Sequence, residues 1–435
     1  MRASRYIVAF ALVAASATAV GTPKIEHWTL ENGARVYFVR TAELPLVQLR
    51  FVFDAASSRD PEGKGGVGVF TNGMLSQGAG GLNADEIALG FERLGAEFGT
   101  SAERDMAVVE LRSLSDEKLL DPALDLLAKV VAKPAFPEDA LERERARALV
   151  GLQRDEQQPD AIVEKAFWRA LYGDHPYARH PYGTPDTVRA IRRDDLVAHH
   201  ARYYTGANAW LAIVGDVSTA QAKDIARRVL GDLPRGEPAP PLPPVPARSK
   251  PNRRAIDFPA QQSHIRLGQP GIARDHPDYF PLIVGNYTLG GGGLVSRLAD
   301  EIREKRGYAY SVYSYFLAMR EPGPFVLGLQ TKNAQRDEAL RVVRKVLELF
   351  VAEGPSAQEL EAAKKHLTGS FPLRLDSNKK IADNLAVIGF YGLPLDYLEA
   401  FIPRVEAVTA EQVRDAFERN VNPQALVTVV VGGPR

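Results

Sequence analysis

The sequence predicts an α+β protein built twice over: two homologous α/β sandwiches, each a mixed, mostly antiparallel sheet with helices, joined by a proline-rich linker. Three observations predict it. Strand-like and helical segments follow one another in mixed order, which disfavours a parallel βαβ array. Residues 234–251, PRGEPAPPLPPVPARSKP, are dense in proline and read as an extended, semi-rigid spacer. The pieces on either side share features about 217 residues apart, and a near-constant offset marks duplication. Thus Tyr203-Tyr204-Thr205-Gly206-Ala207-Asn208 before one apolar run answers Glu418-Arg419-Asn420-Val421-Asn422-Pro423 before another. Likewise Pro137-Glu138-Asp139-Ala140 answers Pro355-Ser356-Ala357-Gln358.

The elements follow in order. Arg2 and Arg5, an apolar run over 6–13 and small residues over 14–19 make residues 1–19 a cleaved export signal. Ala17-Thr18-Ala19 or Ala15-Ser16-Ala17 fits the cleavage rule. The expected location is a bacterial periplasm, with no membrane attachment after removal. Residues 20–233 form the first domain. Within it, 36–39, 46–53 and 107–112 are β-branched or aromatic and strand-like. Residues 65–75, 83–94, 116–131 and 138–155 have helical periodicity, and Asn83 with Asp85 and Glu86 makes a cap and acidic first turn. Residues 209–214 are a strand closing at Gly215. Residues 252–435 form the second domain, with strands over 263–269, 308–316 and 425–431. Its helices are expected over 280–289, 295–303, 335–352 and 357–371.

Composition narrows function. The 435 residues include no cysteine, which removes disulfide scaffolds, thiolate zinc sites, iron–sulfur clusters and cysteine nucleophiles. Charge is balanced, 54 basic against 54 acidic, so no nucleic-acid partner is expected. The eight histidines are His27, His175, His180, His199, His200, His264, His276 and His366; no two stand at i and i+4. His175 and His180 sit in a Pro/Tyr loop and read as structural. Adjacent His199 and His200 point in different directions on a helix. No G-x-S-x-G elbow supports a serine hydrolase.

Several segments together resemble the pitrilysin/insulinase (inverzincin) zinc peptidases, including their processing-peptidase and bacterial two-subunit branches. They are Ala55-Ala56-Ser57-Ser58-Arg59-Asp60, Gly68-Val69-Phe70-Thr71-Asn72-Gly73-Met74, His180-Pro181-Tyr182-Gly183-Thr184-Pro185, Ile213-Val214-Gly215-Asp216 and residues 286–310. The resemblance implies an H-x-x-E-H box on the helix after the first hairpin, with two zinc ligands and a base. Here that box is degenerate. Val69 and Gly73 replace the histidines, and Asn72 replaces the glutamate. The third ligand position that the resemblance implies falls near Val150 or Gly151, again without a donor atom. No metal site is expected in this chain.

The resemblance also implies an arginine and a tyrosine seven residues apart that face the other domain's zinc site. These match Arg303 and Tyr310, which would bind substrate and stabilise an oxyanion. Alone, Arg303 would read as a solvated helix-end residue and Tyr310 as a half-buried strand residue. Gly290, Gly291, Gly292 and Gly293 precede that pair. The run lacks the Lys-Ser/Thr of a phosphate loop; the resemblance implies a loop lining a substrate chamber, and a plain hinge is the other reading.

The combination predicts a non-catalytic, substrate-binding subunit of a heteromeric peptidase. Zinc would be absent from this chain and held by an H-x-x-E-H homologue as heterodimer partner, and the substrate would be a peptide. The alternative is a catalytically dead scaffold or peptide-binding module of the same fold.

Overall fold

The computed structural model describes residues 23–247 and 249–433; the expected export signal and its cleavage sites lie outside the described residues. The first half lays down β1 (Glu26–Thr29), β2 (Arg35–Arg40) and β3 (Leu46–Phe53), then α1 (Val67–Gly73). A short ribbon, β4 (Gly78–Ala79) with β5 (Leu82–Asn83), leads to α2 (Ala84–Arg93) and the hairpin β6 (Glu97–Ala102) and β7 (Ala107–Leu114). Helices α3 (Glu117–Ala132), α4 (Glu138–Asp155), α5 (Pro159–Tyr172), α6 (Pro185–Ala190) and α7 (Arg193–Tyr203) precede β8 (Ala209–Gly215) and α8 (Thr219–Leu230). The second half runs β9 (Asn252–Asp257), β10 (Gln262–Pro270), α9 (Tyr279–Asn286), α10 (Arg297–Ala299), β11 (Val312–Phe316) and β12 (Pro324–Lys332). It ends with α11 (Arg336–Glu353), α12 (Ala357–Ser370), α13 (Asn378–Tyr391), α14 (Tyr397–Glu406), α15 (Ala410–Asn420) and β13 (Val427–Gly432).

The strands make two sheets ordered β1-β2-β8-β3-β7-β6 and β11-β12-β10-β13-β9. Among the strands of the described residues, only β2 with β8 and β13 with β9 pair in parallel. The duplication is thus visible strand by strand: β2 begins at Arg35 and β9 at Asn252, 217 residues on, and β7 and β12 keep the same offset. Local caps set the helix starts. Asn83 accepts from Glu86 N while Glu86 answers the Asn83 N–H, and Ser356 with Glu359 repeats the device.

Side chains alternate across each strand, so each sheet has two faces to bury. Phe38, Leu49, Phe51, Val109, Leu211 and Ile213 pack under the first half's own helices. The opposite face, Tyr37, Val39, Val52, Val108, Trp210, Ala212 and Val214, joins the core of the second half. What covers it is α13, which lies on β8, β3 and β2. In return α5 crosses onto β13 and β10, burying Val326, Val427, Val429 and Val431 against Val163, Phe167 and Leu171. The two helices are duplicates of each other, starting at Pro159 and Asn378. Each half therefore completes the other's sheet.

The proline-rich segment has no regular secondary structure among its described residues, as its composition requires, but it is packed rather than a free spacer. Leu242 is buried in the α5 cluster. Arg59 donates to Pro240 O at 2.5 Å, and His175 Nε2 to Pro243 O at 2.8 Å.

Three expected element bounds are corrected. The strand expected over 308–316 begins only at Val312, where pairing with Leu329 starts. Gly307, at φ +62°, turns the chain first, and Tyr308 N returns to Ile302 O. The helix over 280–289 ends as α-helix at Asn286 and continues to Gly291 as a wider π turn. The helix over 295–303 is broken: Ser296 is extended and caps α10, and a second π turn spans Asp300–Glu304.

Close approach of α13 to its sheet depends on Gly389. A Cβ there would stand 2.6 Å from Tyr37 Cε2 and 3.0 Å from Trp210 Cδ1. At an exposed helix site Gly→Ala stabilises by about 1 kcal/mol. Here Gly389→Ala is expected to destabilise by roughly 1–3 kcal/mol through overpacking, and the sign of the change in a denaturant titration decides.

Candidate functional site

Helix α1 carries the degenerate zinc box, and its surroundings explain its placement. Asp60 caps its N-terminus: its carboxylate accepts from Gly66 N at 2.6 Å and Gly68 N at 2.7 Å. Gly66 holds φ +102°, and a Cβ on Gly68 would meet Ala55 O and Ala56 at 2.8 Å. The Ala55–Asp60 segment and the following glycines therefore form one unit that presses the helix onto the sheet.

Asn72 is 1% exposed, and all its polar atoms are engaged. Its Nδ2 donates to Ser101 O at 2.8 Å and Val108 O at 3.0 Å, and its Oδ1 accepts from Tyr204 OH at 2.9 Å. It ties α1 to the β6–β7 hairpin and to the end of α7. Two histidines of α7 brace the same region. His199 Nε2 donates to Ala55 O and His200 Nε2 to Val131 O, each at 2.8 Å. Both are held neutral by burial, His199 at a pKa of about 4.

Val69, Asn72 and Gly73 open onto a cavity of about 450 Å³. Its far wall is α4, contributing Glu144, Arg147, Gly151, Arg154 and Asp155; Thr100 and Ser101 of β6 also line it. Of the two residues near the implied third-ligand position, Gly151 lines the cavity, while Val150 is 67% exposed and does not line it. No atom lies within 4 Å of a Cβ placed on Gly73 or Gly151. The cavity thus adjoins the zinc-box positions, and those positions offer it no donor atom. Valine and glycine offer no ligand atom and the Asn72 amide is committed elsewhere, so the residues present do not fit zinc. Among the described residues no three His, Asp or Glu side chains group as metal ligands.

Sequence reasoning missed His180, Tyr182, Arg154 and Asp155 as residues lining this space. His180 Nδ1 is buried without a hydrogen-bond partner, and burial lowers the imidazole pKa. The H-P-Y-G segment was legible, but nothing in it says which wall it joins.

Arg303 and Tyr310 lie together, the guanidinium carbon 4.6 Å from the centre of the tyrosine ring. Tyr310 is 84% exposed and precedes β11, so it is not a half-buried strand residue. Arg303 also approaches Glu304, its Nε 3.3 Å from Oε1. The glycine run is not one open loop. Gly290 and Gly291 belong to the π turn, and a Cβ on Gly290 would meet Ser314 N at 2.5 Å. Gly293 alone of the four takes a left-handed φ, +62°. Neither the glycine run nor the Arg303–Tyr310 pair lines the α1–α4 cavity.

Comparison with known proteins gives this geometry its context. The family model described as Insulinase (Peptidase family M16) matches residues 35–185, and that described as Peptidase M16 inactive domain matches 190–367. A solved structure from Pseudomonas fluorescens, titled a peptidase M16 inactive domain, superposes with TM-score 0.91 and 41% identity, covering 94% of this chain and 98% of that one. The chain belongs to peptidase family M16. Two named relatives match over most of their length. A Helicobacter pylori protein named a non-peptidase homolog, YmxG, is 25% identical, covering 90% of each chain. A Bacillus subtilis protein named an uncharacterized zinc protease, also YmxG, is 27% identical over 83% of this chain and 87% of its own. The periplasmic protease PqqL of Escherichia coli shares the fold, with TM-score 0.79 at 17% identity, covering 94% of this chain and 46% of that one. Within M16, this chain is a member whose zinc-box positions hold no zinc ligand.

Two outcomes follow from the buried anchors. Asn72→Glu sets a carboxylate against the Ser101 and Val108 carbonyls and is expected to cost roughly 3 kcal/mol or more, read by denaturant unfolding. His199, ordinarily near 6.5 and here about 4, binds its proton in the unfolded chain first, so it removes stability as pH falls from 6.5 to 4. Asp60 slopes the other way over much of that window, because burial pushes its carboxyl up to about 7. The comparison is therefore between wild type and His199→Gln, whose acid limb is expected to be flatter by up to about 3 kcal/mol.

Proposed function

We propose that this chain is the non-catalytic, substrate-binding subunit of an exported heteromeric M16 peptidase. The observation that supports it is an asymmetry within one molecule. The zinc box has no donors and its Asn72 is built into the fold, while a half-buried Arg303 stays stacked on an exposed Tyr310. A homologous partner with an intact H-x-x-E-H box would supply the zinc. Tyr310 would donate its hydroxyl to the oxyanion forming on the scissile carbonyl. Arg303 would hold a substrate carbonyl or carboxylate in its planar fork. The edge strand β6, paired on one side only with β7, would accept an extended peptide. Export to the periplasm rests on the sequence of residues 1–19. Among the described residues no helix is long and apolar enough to cross a membrane.

The test is reconstitution. Mixed with a zinc-box homologue from the same host, the purified chain is expected to confer peptide hydrolysis that neither has alone. Tyr310→Phe is expected to lower kcat about 10²-fold. Stoichiometric zinc and peptidase activity in this chain alone would refute the proposal. Full activity of an Arg303→Ala, Tyr310→Phe double variant in the complex would leave the scaffold reading.

A further inference from the structure

We infer that the outer edge of β9 is a docking edge for an extended, acidic polypeptide segment. The duplication locates it. In the first sheet, β2 is covered on its outer edge by β1. β9 is the counterpart of β2, yet among the described residues it ends its sheet and pairs only with β13. The offset of 217 residues that carries β2 onto β9 carries β1 onto Pro243-Pro244-Val245-Pro246. Three prolines in four residues cannot supply ladder N–H groups. The segment is instead drawn toward the α5 cluster: Leu242 is buried there and Val245 packs against it. A position filled in one copy is thereby opened in the other.

The open edge has a defined polarity. Asn252 N bonds Leu426 O and Phe258 N bonds Gly432 O, so even-numbered residues turn their backbone groups toward β13. Arg253, Ala255 and Asp257 turn theirs outward. Beside this edge lies a groove of about 610 Å³ lined by Arg254, Lys165 and Arg169, none with an ion-pair partner among the described residues. Of the acids lining it, Asp160 and Glu164 are taken by Arg266, at 2.7 Å and 3.2 Å. Asp155 and Glu156 remain, at the α4 end. Exposed Lys250 adds a further cation just before the strand. A strand pairing here would lay one face of its side chains along Arg254, Lys165 and Arg169, where carboxylates find unpaired cations. A second copy of β9 is a poor occupant, because antiparallel self-pairing crowds arginines from both chains.

The probe is a short fluorescein-labelled peptide of alternating threonine and glutamate, titrated against the full chain by anisotropy. Binding is expected for this peptide, with none for its threonine–lysine analogue. Ala255→Pro, which removes an outward N–H, and Arg254→Glu are each expected to weaken binding at least about tenfold at unchanged Tm. A Lys165→Glu, Arg254→Glu double variant, altered only at exposed side chains, keeps the test decisive should the proline variant fail to fold. Absence of binding, equal binding of the lysine peptide, or full binding by the charge-reversed variants would overturn the inference. So would self-association abolished by Ala255→Pro, which would give the edge to a second copy. None of these outcomes involves Arg303 or Tyr310, so the reading is tested separately from the peptidase-subunit proposal.

Discussion

The reciprocal exchange of α5 and α13 is the constraint on which the rest of the molecule depends. Each sheet is hydrophobic on both faces, and a half-protein can cover only one with its own helices. An exposed face carrying Tyr37, Trp210 and Val214 would be a large apolar patch of the kind that monomeric proteins avoid. Handing one helix across in each direction solves both problems at once. It also fixes the relative position of the two halves, because neither sheet can shift without uncovering its core. The β6–β7 and β11–β12 hairpins are held together by the same arrangement. Arg320, at the second hairpin's tip, donates its backbone N–H to Asp105 and reaches Phe390 O at the end of α13.

That rigidity gives the two candidate stations their character. The α1–α4 cavity and the Arg303–Tyr310 pair belong to different halves and do not share a lining. Within one chain they cannot be brought together by sliding one sheet over the other. Under the proposed function, a partner with the same fold would bring the reacting groups to the exposed tyrosine that precedes β11. Retention of this surface pair next to the loss of every zinc ligand is the opposite of uniform decay.

Much of this was legible in the sequence, and the divisions are physical. Strand existence and the capped helices follow from local rules: β-branched alternation set β3 and β8, and Asn83 marked the start of α2. The duplication was readable because equivalent turns kept their spacing. The empty zinc box was readable because a missing donor atom is a property of residue type alone. What could not be read was which sheet a helix would join. The apolar stripes of α5 and α13 state that they are buried, not against what, and Gly389 acquires meaning only beside Tyr37 and Trp210. The Tyr310 loop was misread as strand because Tyr-Ala-Tyr-Ser-Val has strand composition, and Gly307 redirects the chain first. The cavity wall was invisible for a similar reason: α4 and the His180 loop meet only through tertiary packing.

The Asn72 side chain carries a consequence for descent. It fills the place of a catalytic base, yet every polar atom it has now holds up the structure. A lineage that has made this exchange has turned a vacated reactive position into a brace. Regaining a glutamate there would first break the brace, and regaining histidines at 69 and 73 would achieve nothing without it. No single step back is both stable and useful, so the loss behaves as a ratchet. A return to zinc chemistry at this box therefore requires several coordinated substitutions rather than one.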